Sequence, residues 1–207
     1  MTPEVRAVAD RFILDVANLK YLASCIPKGG LDRPVEALGW TVRQAIGHLG
    51  ASQERYVRTI ADLLADAAAT ASFDVGEFNA GAAEQTRSTP LPDLLGRLDL
   101  ATVQLLALFE RMPPGIEERG VGGHSLADLL GPWSEHVAEH GIDVVDALPE
   151  VRLDPMILNW ILYADYSGDE RRLQCQASLM AEVREHFGDD DEYEDDDESE
   201  EEDDDAS

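Results

Sequence analysis

The sequence predicts an all-α protein: an antiparallel four-helix bundle, followed by extra C-terminal helices and an acidic tail. Apolar residues recur at helical spacing in four long segments, a pattern typical of helices that bury one face. Several of these segments are preceded by helix-capping residues or by a proline suited to a first helical position. With 207 residues, of which 44% are hydrophobic, the chain is long enough to bury one core.

The first two helices have clear start signals. Thr2 can cap the first helix with a proline next to it, and the apolar repeat continues to about Cys25. Thr41 and Gln44 fit a capping box, in which the side chain of each accepts a hydrogen bond from the backbone of the other. The second helix is therefore predicted to begin there and to continue to about Asp66.

The segment 67–88 is rich in Ala, Gly, Thr and Asn and contains few large apolar residues. This composition predicts a long interhelix loop with at most a short turn of structure. Thr89 then precedes a proline and a leucine-rich third helix, which ends before Pro113.

The fourth helix is predicted to follow Ser125, which can cap it, and His124 is interpreted as a loop residue. Pro132 interrupts the sequence of this helix. A proline inside a helix removes one backbone hydrogen bond and clashes with the preceding turn. We therefore expect a kink or a restart just before Trp133.

Two more helices are predicted after the bundle, one opened by Asp154 and one that follows Asp169. The predicted organisation is a bundle over 1–148, accessory helices over 149–188 and a disordered acidic tail over 189–207. The accessory helices are interpreted either as packed on the bundle or as the contact of a homodimer.

The formal net charge of −27 is unevenly distributed. Residues 189–205 carry fifteen carboxylates and no Lys or Arg, so the tail is too charged to bury a core. Neither the tail nor the body has a basic stripe, which argues against binding to nucleic acid or to an anionic membrane. No apolar run reaches the length of a membrane helix, and we expect a soluble cytoplasmic protein. Cys25 and Cys175 are expected to be reduced, structural thiols.

His136 and His140 are the residues most suggestive of a binding site. Positions four apart lie on the same face of a helix, so the two imidazoles can be directed at one point. Such a pair is either a satisfied set of core histidines or two ligands of a metal ion. His48 on the second helix favours a metal, because a third imidazole would give the three-ligand arrangement of catalytic metal sites.

The helical face of His48 also includes Ser52 and Arg55. Either His48 faces solvent among polar neighbours, or it lies at the solvent-accessible entrance of a site where Ser52 or Arg55 can contact a ligand. Glu54 lies far around the helix and is a poor partner for His48.

Two separated motifs give the chain a family resemblance. Residues 40–49, with the sequence WTVRQAIGHL, resemble the first conserved segment of the DinB/YfiT-like metal-binding superfamily. Residues 123–130, followed by His136 and His140, are similar to its second motif. The resemblance covers roughly 1–148, and the N-terminal domains of mycothiol-dependent maleylpyruvate isomerases are a close relation within the superfamily.

The resemblance implies a four-helix bundle that holds a divalent metal, often zinc or nickel, with His48, His136 and His140 as its ligands. The isomerase branch typically has Glu at the position of His136 and tends to carry a larger C-terminal domain. This chain therefore follows the three-histidine pattern of the superfamily.

The resemblance also implies a function, in which a low-molecular-weight thiol binds the metal and attacks a small electrophile. Ser52, Arg55 and Asp143 are the candidates to orient the ligand or the metal-binding histidines. Two alternatives stay open: a noncatalytic metal-binding or stress-response protein, and a purely structural helical bundle.

Overall fold

The computed structural model describes residues 3–65, 74–112 and 126–188. In these ranges the protein is almost entirely helical, which confirms the predicted all-α class. The helices are α1 (Pro3–Cys25), α2 (Val42–Leu64), α3 (Val75–Thr86), α4 (Leu91–Glu110), α5 (Leu126–Asp146), α6 (Pro155–Leu162) and α7 (Glu170–Phe187). The predicted cap Thr2, His124, Ser125 and the acidic tail lie outside the described residues.

The four long helices α1, α2, α4 and α5 form the bundle. α2 packs mainly on α4 and α1 mainly on α5, with further contacts between α1 and α4 and between α2 and α5. The apolar stripes of these helices meet in one core, as their helical periodicity predicts. Its largest fully buried side chains include Phe12, Leu19, Leu22, Ile46, Leu49, Leu98, Leu105 and Phe109. No helix in the described ranges has the length and apolar character to cross a membrane.

A small hairpin fixes the start of α2. Strands β1 (Pro34–Val35) and β2 (Trp40–Thr41) pair antiparallel just before the helix. The Gln44 side chain accepts a hydrogen bond from the Thr41 backbone at 2.9 Å, and the Thr41 hydroxyl accepts one from the Gln44 backbone at 3.3 Å. The predicted capping box is therefore present, and the hairpin places Trp40 beside the first turn of α2.

The prediction of a long loop over 67–88 was wrong, because α3 occupies most of this segment. Asp74 caps α3 by accepting a hydrogen bond from the backbone of Glu77 at 2.9 Å. The helix lacks a strong apolar stripe because it packs through small residues. A Cβ added to Gly47 of α2 would lie 2.4 Å from Thr86, so the two helices approach closely only because residue 47 is a glycine.

Of the kink or restart expected before Trp133, the restart is absent, since α5 is one continuous helix from Leu126 to Asp146, and the kink stays a prediction. A single proline removes one backbone hydrogen bond, whereas the stability of a helix in a protein comes mostly from tertiary packing. From Val137 onward α5 is buried on most sides by α1, α2, α6 and α7. This packing offsets the lost hydrogen bond.

The two C-terminal helices pack on the bundle. α6 lies against α1 and α5, and α7 lies against α5 and α6. The Trp160 ring covers Gly141, where an added Cβ would come within 2.5 Å of the indole, and its Nε1 donates a hydrogen bond to buried Asp15 at 3.0 Å. The α6–α7 pair therefore closes one side of α5, and a homodimer stays a prediction.

Candidate metal centre

Three histidines meet between α2 and α5. His136 and His140 lie one turn apart on α5, and one ring nitrogen from each lies within 4.8 Å of the others and of a ring nitrogen of His48. The Nε2 atoms of His48 and His136 are 3.1 Å apart. His48 is only 3% exposed, so it does not face solvent. The structure thus brings together the three histidines that the sequence singled out, whereas metal binding itself stays a prediction.

Carboxylates stand behind the two histidines of α5. Nδ1 of His140 lies 3.2 Å from Asp143, a hydrogen-bonding distance, and Nδ1 of His136 lies 3.7 Å from Glu139. A proton held on Nδ1 by the carboxylate leaves the lone pair of Nε2 directed at the cluster. Carboxylates commonly orient metal-binding histidines in this way.

His48 is positioned differently. Its Nδ1 atom is buried and has no hydrogen-bond partner among the residues that the structure describes. Its ring packs against Trp40, with the centroids 5.0 Å apart, and against Phe78 of α3 at 6.0 Å. Packing rather than a carboxylate therefore holds this imidazole in place.

His48 and His140 are held in their neutral form. Burial, together with the nearby rings of His140 and His136, lowers the pKa of His48 to about 3. Burial also lowers the pKa of His140, although its hydrogen bond to Asp143 acts in the opposite direction. Neutral imidazoles present free lone pairs at pH 7, as metal ligation requires.

Two arginines of α7 compensate the charge of the carboxylates. Burial alone would raise the pKa of Asp143, but hydrogen bonds from His140, Arg172 and Arg171 lower it well below its usual range. The pKa of Glu139 is lowered by His136 and by the positive charge of Arg172. Both carboxylates are therefore ionised at neutral pH.

The residues proposed to orient a ligand lie at different distances from the cluster. Ser52 is buried, and its Oγ is 3.3 Å from Nε2 of His48. Asp143 contacts His140 as described above. Arg55 lies over the Phe78 ring, with its guanidinium carbon 5.8 Å from the ring centroid. Ser52 and Asp143 thus touch the histidines directly, whereas Arg55 is next to a residue that does.

Sequence reasoning missed several residues around the cluster. Glu139 has a signal in the sequence, because it follows His136 by three positions just as Asp143 follows His140. Arg172 has none, since it is distant in the chain and precedes no recognisable motif. Glu54 was judged a poor partner for His48, and its carboxylate indeed binds Arg97 of α4 with two contacts of 2.9 Å.

The cluster fits a divalent cation. Nitrogen ligands of a tetrahedral zinc lie about 3.4 Å apart, which follows from zinc–nitrogen distances near 2.0–2.1 Å. The 3.1 Å between the Nε2 atoms of His48 and His136 is close to this value. Two lone pairs at that distance repel each other unless a proton or a cation lies between them. Imidazole nitrogens suit both zinc and nickel.

A cleft lies between α2, α3 and α4, on the other side of Phe78 from the cluster, and none of the three histidines lines it. It has a volume of about 590 Å³, and Phe78 both lines it and contacts His48. The Glu54–Arg97 pair and the carboxylates of α3 make much of its wall polar. The cleft provides space for a small molecule, separated from the histidines by the Phe78 ring.

The lowered pKa of His48 makes the stability of the metal-free protein depend on pH. In the unfolded chain an imidazole binds a proton below about pH 6.5, while folded His48 stays neutral to about pH 3. The unfolded state therefore gains protons first as the pH falls. We expect His48 to reduce the free energy of unfolding by up to about 1.4 kcal/mol per pH unit over this window.

The measurement is urea unfolding in EDTA at pH 7.5 and at pH 5, for the wild type and for His48→Ala. The wild type is expected to lose more stability on acidification than the variant, because the variant lacks the titrating group. Equal losses in the two proteins would contradict the assignment of His48 as a buried neutral imidazole.

Comparison with known proteins adds one finding. Residues 16–145, more than half of the chain, match the family described as the mycothiol maleylpyruvate isomerase N-terminal domain. The matched range contains all three histidines and both carboxylates behind them, and it ends before α6 and α7. No curated protein and no solved structure matches the chain.

Proposed function

The chain belongs to the family of mycothiol maleylpyruvate isomerase N-terminal domains, within the DinB/YfiT-like superfamily, and from this premise we propose a metal-dependent thiol transferase. It would use a low-molecular-weight thiol against small electrophiles. The observation that carries the proposal is the cluster of His48, His136 and His140, three imidazoles whose ring nitrogens lie within 4.8 Å of one another. The family is associated with mycothiol-dependent enzymes, and the cluster is a set of residues that could hold a metal ion, which together support the proposal.

The proposed metal ligands are the ring nitrogens of these three histidines. Three neutral ligands leave a divalent cation its full positive charge, and three protein ligands leave a coordination position for a further molecule. When bound, the cation acts as a Lewis acid that lowers the pKa of a thiol and favours the reactive thiolate.

The remaining residues have supporting roles in this proposal. Asp143 accepts the Nδ1 proton of His140, and Glu139 lies 3.7 Å from Nδ1 of His136, so that the other nitrogen of each ring is available as a ligand. Ser52 lies where its hydroxyl can contact a ligand next to His48. The cleft beyond Phe78 is the proposed space for the electrophile.

The reaction class is substitution at carbon. The thiolate sulfur forms a new bond to the electrophilic carbon, the leaving group departs with its bonding electron pair, and the thiol proton passes to solvent. No oxidant or reductant is needed, because sulfur has the same oxidation state in the thiol and in the thioether product.

The test combines zinc-loaded or nickel-loaded protein with mycothiol, or with cysteine as a simpler thiol, and a chromogenic aryl halide. We expect product formation above the spontaneous rate only when protein, metal and thiol are all present. His136→Ala, assayed at the same metal concentration, is the control and should show only the spontaneous rate.

A protein that binds metal but shows no thiol-dependent turnover with any of several electrophiles would contradict the transferase proposal. That result would favour the noncatalytic metal-binding alternative, in which the same histidines store or sense the cation.

A further inference from the structure

Arg172 connects the accessory helix α7 to the histidine cluster. It lies beyond the residues that match the family, and its side chain is only 12% exposed. Its guanidinium contacts Glu139 at 3.1 Å through Nη1, and Asp143 at 3.1 Å through Nη2 and 3.3 Å through Nε. One planar cation thus spans two carboxylates of α5.

Each of the two carboxylates that Arg172 contacts lies next to a histidine of the cluster. Glu139 stands behind His136 and Asp143 behind His140, on the sides of the rings that face away from the cluster. The guanidinium fork has donors in fixed directions, so it can hold two carboxylates at a set separation. The two histidine supports are therefore linked through a single side chain.

We infer that Arg172 is a positioning residue of the metal centre: by bridging Glu139 and Asp143 it fixes the orientations of the His136 and His140 rings. The C-terminal helix α7 then completes a site whose ligands all come from the bundle. This inference rests on the proposed metal-binding function, and it adds a residue from outside the matched family range.

Arg172 also forms a contact at the start of its own helix, α7. Its guanidinium also contacts Asp169, the residue that caps α7, at 3.1 Å. The side chain is thereby tied to the first turn of α7 at one end and to α5 at the other. Arg171 contacts Asp143 too, but it is 42% exposed, and among the described residues it forms no ion pair with Glu139.

The simpler interpretation is that Arg172 only attaches α7 to α5. Arg152 provides the comparison, because its guanidinium also joins these helices, binding Asp146 at 3.4 Å and Glu182 at 2.9 Å. Its side chain is similarly buried, at 19% exposed, yet neither of its partners contacts a histidine of the cluster. The two arginines thus differ mainly in their carboxylate partners: those of Arg172 contact histidines of the cluster, and those of Arg152 do not.

The experiment replaces each arginine by lysine and measures zinc affinity by competition with a chromogenic chelator. Lysine keeps the charge and most of the stem but cannot bridge two carboxylates with a fixed fork. We expect Arg172→Lys to raise the Kd for zinc about tenfold, at the low end of effects seen when supports of metal ligands are changed. Arg152→Lys should stay within about twofold of the wild type on the same reasoning.

A folding control and two further measurements separate positioning from simple attachment. Circular dichroism at the assay temperature verifies that both lysine variants are folded, so that the affinities are comparable. In a Glu139→Gln background, Arg172→Lys should raise the Kd by less than it does in the wild type, because half of the bridge is already removed. The visible spectrum of the cobalt-loaded protein should change in Arg172→Lys and not in Arg152→Lys.

Equal zinc affinities for Arg172→Lys and Arg152→Lys would overturn the inference and leave the proposed function intact. An undiminished effect of Arg172→Lys in the Glu139→Gln background would overturn the route through that carboxylate. A wild-type protein that binds no zinc, nickel or cobalt would overturn the proposed function itself, and the inference with it.

Discussion

Asp143→Ala is expected to destabilise the metal-free protein by about 3 kcal/mol, the lower end of the range for breaking a buried ion pair. The Asp143 side chain is fully buried and accepts hydrogen bonds from His140, Arg171 and Arg172. Its removal leaves the His140 Nδ1 proton without an acceptor and the Arg172 guanidinium with one carboxylate fewer. Arg172 keeps Glu139, which is why the lower end applies.

The measurement is urea unfolding in EDTA near neutral pH. Asp146→Ala is the matched control, since Asp146 is also an α5 carboxylate paired with an arginine, Arg152, but is 50% exposed. Exposed ion pairs contribute about 0–1 kcal/mol, so the control should lose much less stability. Similar losses in the two variants would mean that the buried network around Asp143 does not stabilise the fold.

Zinc is expected to stabilise the folded protein strongly. A ligand that binds only the native state contributes about 4 kcal/mol when its concentration is one thousand times its Kd. For a chain of this size, that corresponds to a rise in the melting temperature of roughly 10 °C. The rise should disappear when EDTA is added, because the metal-free cluster is regenerated.

His136→Ala is the control for this effect. Its ring is half-buried, so the substitution is expected to leave the fold intact while removing one of the three nitrogens. An equal zinc-induced rise in this variant would place the metal elsewhere in the protein.

The bundle and the pair of His136 and His140 could be predicted from the sequence because their signals are local. Helical spacing predicts a shared face, and positions 136 and 140 are four apart on one helix. The Thr41–Gln44 capping box defines the start of α2 and hence the approach of His48. Each of these inferences depends on residues within two turns of one another, which is the range over which spacing determines geometry. The meeting of His48 with the α5 pair, 88 positions away, was implied by the family resemblance instead.

The parts that could not be predicted depend on contacts between distant segments. α3 was interpreted as loop because it is held by close packing of small residues, such as Gly47 against Thr86, rather than by an apolar stripe. Arg172 contacts residues about thirty positions earlier in the chain, and nothing in its surrounding sequence indicates which carboxylates it meets. Spacing alone contains no information about such partners.

The most direct test of the metal centre is elemental analysis of purified wild-type protein beside His48→Ala, after both are loaded with zinc and passed through a desalting column. Three converging imidazoles predict close to one metal ion per wild-type chain and a large loss in the variant, which lacks the ligand from α2. A wild type without metal, or a variant that retains as much metal as the wild type, would contradict the account.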